Sequence, residues 1–171
     1  MPRLFIGIEL SGPLKDAIAE SLAPLKTSPK GWEDPFDYHV TLLFLGETPL
    51  EEIPLMTREL RQISFTPFTL TFRSLAFFNR RVLYLSCDPS PELVQLKSQI
   101  DSHFPKYLKP ESKKFIPHVT VKRWQRYEFQ ELKKNIEKNP FEARSQRVDH
   151  LALFKSEKDS DNHKYHVLER N

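Results

Sequence analysis

The chain has 171 residues, 39% of them apolar and 29% charged, with a formal net charge of +3; this is the make-up of one globular domain that can bury a sizeable core without disulfides or metal. Cys87 is the only cysteine, which excludes an intrachain disulfide and a cysteine-based zinc site, and four glycines argue against a glycine-rich nucleotide loop. Fourteen prolines and thirteen phenylalanines forecast many defined turns around a phenylalanine-rich core.

The opening "MPRLFIGIEL" runs straight into a strand-like stretch and lacks the parts of a secretory signal, and no window approaches 18 apolar residues. A cytoplasmic protein without membrane contact is therefore expected. In chain order, "RLFIGIEL" (3–10) reads as a strand and Pro13 opens a helix over 13–26 that carries Leu14, Ile18, Leu22 and Leu25 on one face. Residues 27–35 read as loop, and "DYHVTLLFLG" (37–46) as a strand ended by Gly46. A helix over 49–63 follows, its first turn delayed or broken by Pro54. Strands over 68–78 and 81–87 are joined at Asn79-Arg80 as a hairpin. Ser90 and Pro91 start a helix over 90–104 as N-cap and first helical residue. A strand over 115–124, a helix over 128–139 stopped by Pro140, a strand over 147–154, a polar turn over 155–163 and a last strand over 164–169 complete the chain.

That order repeats. Strand, helix, His-Val-Thr strand, helix, strand spans about 3–78 and again about 81–154. The spacing predicts an internal duplication, a single domain of two pseudo-symmetric α+β lobes around a shared cleft.

The repeated triplets are His39-Val40-Thr41 and His118-Val119-Thr120, 79 residues apart. On a strand, residues i and i+2 share a face at a spacing of about 6.6 Å. Each triplet thus offers one imidazole and one hydroxyl to the cleft, while its valine anchors the strand behind. Histidine titrates near neutral pH, so a facing pair can supply a base on one side of an electrophile and an acid on the other. Phosphorus in an in-line displacement suits that arrangement, with threonine hydroxyls and cations holding the non-bridging oxygens. Two other readings stand beside it: hydrogen-bonded core histidines on ordinary β-formers, or a metal site completed by Asp37 or Asp149, although no His-x-His or His-Glu-x-x-His spacing is present.

Around the second triplet, Lys106, Lys109, Lys113, Lys114, Lys122, Arg123 and Arg126 face one acid, Glu111. This run is either a solvated surface or an approach path for a polyanion. Tyr38, Arg80 and Arg81 are placed at the cleft rim by position, and His103, His150, His163 and His166, lacking a threonine partner, read as structural or exposed.

The two His-x-Thr-x motifs, His39-Val40-Thr41-Leu42 and His118-Val119-Thr120-Val121, resemble those of the 2H phosphoesterase superfamily. With "RLFIGIEL", "HVTLLFLGE", "RVLYL" and "PHVTVKR" around them, nearly the whole chain resembles the RNA 2′,3′-cyclic phosphodiesterases, also called 2′–5′ RNA ligases. The resemblance implies a duplicated bilobal α+β fold in which two antiparallel sheets line a central cleft with helices outside. It implies an enzyme that opens RNA 2′,3′-cyclic phosphate ends to 2′-phosphates without a metal; a monomer without cofactor is expected. His39 would be the proton donor, His118 the proton acceptor, Thr41 and Thr120 the phosphate ligands, Arg123 a further phosphate contact and Phe44 a neighbour of the nucleoside. An offset of five residues would turn Phe44 and Arg123 away from their histidines on a regular strand, so those two roles require a bulge or a strand end. Cleavage or joining of 2′–5′ linkages, and binding of RNA ends without catalysis, remain as alternatives.

Overall fold

The computed structural model describes residues 1–108, 114–124, 129–158 and 163–171, without the side chains of 158, 163 and 164. Among them the elements are β1 (Arg3–Glu9), α1 (Gly12–Leu22), β2 (His39–Glu47), α2 (Ile53–Gln62), β3 (Phe68–Phe78), β4 (Val82–Cys87), α3 (Pro91–His103), β5 (His118–Arg123), α4 (Phe129–Lys138), β6 (Arg144–Val148), β7 (Ala152–Lys158) and β8 (His163–Arg170). Local chemistry explains their ends. Ser11 Oγ accepts from Leu14 N to cap α1, and Ser90 Oγ accepts from Leu93 N to cap α3. Pro54 sits in the first turn of α2, where its missing N–H costs nothing, behind a 3₁₀ turn at Leu50–Glu52. Asn79 and Arg80 both take positive φ, 48° and 54°, as a tight hairpin between β3 and β4 requires.

Two four-stranded antiparallel sheets result, one in the order β2-β1-β7-β8 and the other β5-β4-β3-β6. The strand expected over 147–154 is corrected to two. Its first half, β6, closes the second sheet; after 149–151 its second half, β7, joins the first sheet beside β1. At the crossing, His150 is tied to Asp149 and Glu9 while Leu151 is fully buried, so the alternation of a continuous strand is broken there. The two sheets draw strands from both five-element units. β3 ends the first unit in sequence yet pairs with β4 of the second, and β7 pairs back with β1. The first sheet thus takes β7 and β8 from the second half of the chain and the second sheet takes β3 from the first, which ties the halves together.

The helices pack their apolar stripes on the outer faces of the sheets. Leu14, Ile18 and Leu22 of α1, Met56 and Leu60 of α2, and Leu93, Leu96 and Ile100 of α3 join Leu4, Ile6, Ile8, Leu70, Leu83 and Leu85 in one continuous core. A second, smaller apolar cluster lies on the opposite face of the first sheet, where Phe5, Ala152 and Phe154 pack with Tyr165 and Val167. No helix among the described residues is long and apolar enough to cross a membrane.

Candidate active site

β2 and β5, the two His-Val-Thr strands, approach with Cα atoms within 8 Å of each other. His39, Thr41, Phe44, His118, Thr120 and Arg123 all line one cavity of ≈ 520 Å³ between the sheets. Val40 and Val119 are fully buried behind them, as alternation requires.

Phe44 and Arg123 reach the cavity because both strands bulge at the same place. Along β1, Ile6 pairs with Leu43 and the next residue, Gly7, pairs with Thr41, so Leu42 is an extra residue. Along β4, Leu83 pairs with Lys122 and Tyr84 with Thr120, so Val121 is extra. One inserted residue reverses the alternation downstream. Leu42-Leu43 and Val121-Lys122 are consecutive buried pairs, after which Phe44 and Arg123 emerge on the histidine side. The bulge in β2 also demands Gly7: a Cβ there would lie 2.5 Å from the Val40 carbonyl oxygen.

Each imidazole is held through the carbonyl two residues before it. His39 Nδ1 is 2.6 Å from Asp37 O, and His118 Nδ1 is 2.7 Å from Ile116 O. A carbonyl only accepts, so Nδ1 carries the hydrogen in both neutral rings and Nε2 is left without one, chemically able to accept a proton. His39 Nε2 lies 3.1 Å from Thr41 Oγ1. Aromatic rings box both imidazoles. Phe5 and Tyr165 stand 4.7 and 4.6 Å from His39, ring centroid to centroid, and Phe78 and Tyr84 stand 4.9 and 5.3 Å from His118. Burial among these rings disfavours the imidazolium. It pushes the His39 pKa down to about 4, against the pull of the Asp37 carbonyl and aided by the charges of Lys15, His118 and Arg123. The His118 pKa is also lowered by burial, with the Ile116 carbonyl opposing and Arg123 adding to the effect.

Arg123 Nε donates to Glu33 Oε1 at 2.8 Å, and Glu33 lines the same cavity. Asp37 lines it too, its carboxyl accepting from the backbone N of Tyr165 and its pKa raised by burial. Among the described residues no three His, Cys, Asp or Glu side chains converge as a metal site would need.

Residues 14–160 match the family model of the 2′-5′ RNA ligase superfamily. The chain belongs to that superfamily. Within it, the chain is 26% identical over 164 residues to the RNA 2′,3′-cyclic phosphodiesterase of Thermotoga maritima, covering 90% of this chain and 86% of the relative. It is 28% identical over 133 residues to the protein of the same name from Archaeoglobus fulgidus, covering 72% of this chain and 73% of that one. The fold is that of E. coli LigT, seen in complex with 3′-AMP, at a TM-score of 0.81 and 24% identity over 100% of this chain and 98% of LigT.

This superfamily member departs from the sequence reading in several places. Tyr38, expected at the rim, is 1% exposed and belongs to the core. Arg80 lies over the Phe129 ring, and neither it nor Arg81 lines the cleft cavity. Of the basic run, Lys122 is buried with Nζ donating to Lys30 O at 2.5 Å, and Lys106 is paired with Glu52. Lys109, Lys113 and Arg126, with Glu111, lie outside the described residues, as does the side chain of His163. His103 and His150 are tied to acids, Glu59 and Glu9 respectively, and His166 is exposed beside Glu157. The reading missed Phe5, Phe78, Tyr165 and Glu33. Phe5 was findable, since alternation in "RLFIGIEL" sets it opposite Leu4, Ile6 and Ile8; the other three enter the cavity only through tertiary contacts.

Proposed function

We propose that this chain hydrolyses RNA 2′,3′-cyclic phosphate ends to 2′-phosphates by paired-histidine acid–base catalysis that needs no metal. The observation that carries this reading is the pair of Nδ1-anchored imidazoles, each turning Nε2 to one cavity from its own wall. Relatives named RNA 2′,3′-cyclic phosphodiesterase, similar over most of the chain, support it.

In the proposed reaction His118 Nε2 takes a proton from water as the water oxygen bonds to phosphorus. The P–O3′ bond breaks on the opposite side, and O3′ leaves with the proton of His39 Nε2. The product is a 2′-phosphate and a free 3′-hydroxyl; the proton on His118 and the vacancy on His39 are reset from solvent. Thr41, Thr120 and Arg123 hold the non-bridging oxygens, where charge grows in the transition state. Phe44, 65% exposed on the cavity wall, offers its ring to the nucleoside. The assignment of His39 as acid and His118 as base follows the family pattern. With a pKa of about 4 the His39 ring is neutral at pH 7, so it acquires its proton as the anionic phosphate binds beside it.

The test is incubation with a 2′,3′-cyclic-ended oligonucleotide in chelator. A 2′-phosphate product, and a loss of about three orders of magnitude or more in kcat for His39→Ala and for His118→Ala, are expected. A 3′-phosphate product, dependence on added metal, or full turnover in either variant would overturn the reading.

A further inference from the structure

Arg123 does not stand alone in the cleft. Its Nε is bonded to Glu33, a residue from the segment between α1 and β2, in the other half of the chain. That segment is fastened along the outer edge of β5. Glu33 N donates to Val121 O at 3.0 Å, Arg123 N donates to Gly31 O at 2.7 Å, and Trp32 bridges to Lys122. Lys122, 3% exposed, donates from Nζ to Lys30 O and lies under the Trp32 ring. Gly31 takes φ +77° and abuts the Arg123 carbonyl so closely that no Cβ would fit. The fastening therefore grips the two residues at the bulge, Val121 and Lys122, that turn Arg123 toward the cavity. The Glu33 side chain is 21% exposed, whereas that of Arg123 is 58% exposed, so the carboxylate is the fixed partner and the guanidinium the one being held.

A carboxylate inside a cleft that takes an anion is costly unless it has a task. Its negative charge opposes phosphate binding. Gripping a guanidinium by Nε, however, leaves the two terminal nitrogens as a fork for phosphate oxygens. The long arginine side chain otherwise spreads over many rotamers. We infer that Glu33 is a positioning residue, holding Arg123 by Nε from the segment that edges β5 so that the terminal nitrogens of its guanidinium meet the scissile phosphate. The inference rests on the functional reading above, in which Arg123 contacts the phosphate. It also gives the cleft a polarity that the two matching triplets lack, because Phe44, at the corresponding place in β2, cannot be held by such a partner.

Four chains are compared on a cyclic nucleotide: wild type, Glu33→Ala, Arg123→Ala and the double variant, with Glu33→Gln added. Positioning predicts that Glu33→Ala lowers kcat/KM on the order of tenfold to a hundredfold. Glu33→Gln, which keeps an acceptor for Nε, stays within about threefold of wild type if geometry rather than charge is what matters. In the Arg123→Ala background, Glu33→Ala adds nothing. A second measurement needs no variant. In wild-type protein saturated with inorganic phosphate, the Arg123 Nε–H should stay visible by NMR at neutral pH and protected from exchange.

Faster turnover or tighter phosphate binding in Glu33→Ala would overturn the inference, since it would show the carboxylate acting as a mere repulsive charge. Equal losses with and without Arg123, or exchange of the Nε–H as fast as in free arginine, would also overturn it. If Arg123→Ala is as active as a wild type that turns over, the phosphate contact of Arg123 fails and the inference with it. If wild type does not turn over at all, the functional reading itself has failed.

Discussion

The lowered pKa of His39 makes this residue a measurable source of acid sensitivity. Its pKa falls from 6.5 to about 4 on folding, chiefly by burial among Phe5, Tyr165 and Phe154. At about 1.36 kcal/mol per pKa unit the full effect is about 3 kcal/mol. The sign follows from which state takes the proton first. As pH falls through 6.5 the unfolded chain protonates its imidazole, while the folded chain resists until about pH 4. The contribution of His39 is thus fully present above pH 6.5 and disappears between there and about pH 4, with about 2 kcal/mol gone at pH 5. Urea unfolding at pH 7.5, 6, 5 and 4 reads it out in wild type and in His39→Gln, which removes the titrating group. His118, lowered in the same direction, and the carboxylates remain in both chains, so the difference between the two pH profiles isolates His39. The profile of His39→Gln should be flatter by about 2 kcal/mol between pH 7.5 and 5. Parallel profiles, or an NMR titration midpoint for His39 near 6.5, would refute the claim that the aromatic box desolvates this ring.

Three further outcomes are expected. Binding of inorganic phosphate at pH 6 should be accompanied by proton uptake, detected by calorimetry in buffers of different ionisation enthalpy; uptake that persists in His39→Gln at the wild-type level would exclude His39 as the acceptor. Gly7→Ala should cost about 1–3 kcal/mol of stability, because the new methyl collides with the Val40 carbonyl, and kcat should fall as the bulge at Leu42 shifts; an unfolding midpoint equal to wild type would show that the bulge tolerates it. Phe44→Ala should raise KM for a cyclic nucleotide with less effect on kcat, a loss of about 1 kcal/mol of stacking, whereas an unchanged KM would remove Phe44 from the nucleoside contact.

Much of this architecture was legible residue by residue. Period-two alternation in "HVTLLF" and "PHVTVKR" places the valines in the core and the histidines and threonines together on one face. The caps at Ser90 and Pro91 and the turn at Asn79-Arg80 are local chemistry, and they lie where the sequence puts them. The strand over 147–154 failed for a complementary reason. Nothing within those residues reveals that two sheets compete for them, with β3 claiming one half and β1 the other.

By itself the sequence determined which groups could do chemistry, because a doubled His-Val-Thr on strands fixes residue type, face and repetition at once. Only the tertiary structure decided that the sixth residue of each motif turns inward. A bulge is a mismatch between two strands, Leu42 against the Ile6-Gly7 step and Val121 against the Leu83-Tyr84 step, and exists only in their pairing. The Glu33–Arg123 bond is likewise invisible along the chain, for it joins residues 90 apart through a segment whose backbone is satisfied by the edge of β5.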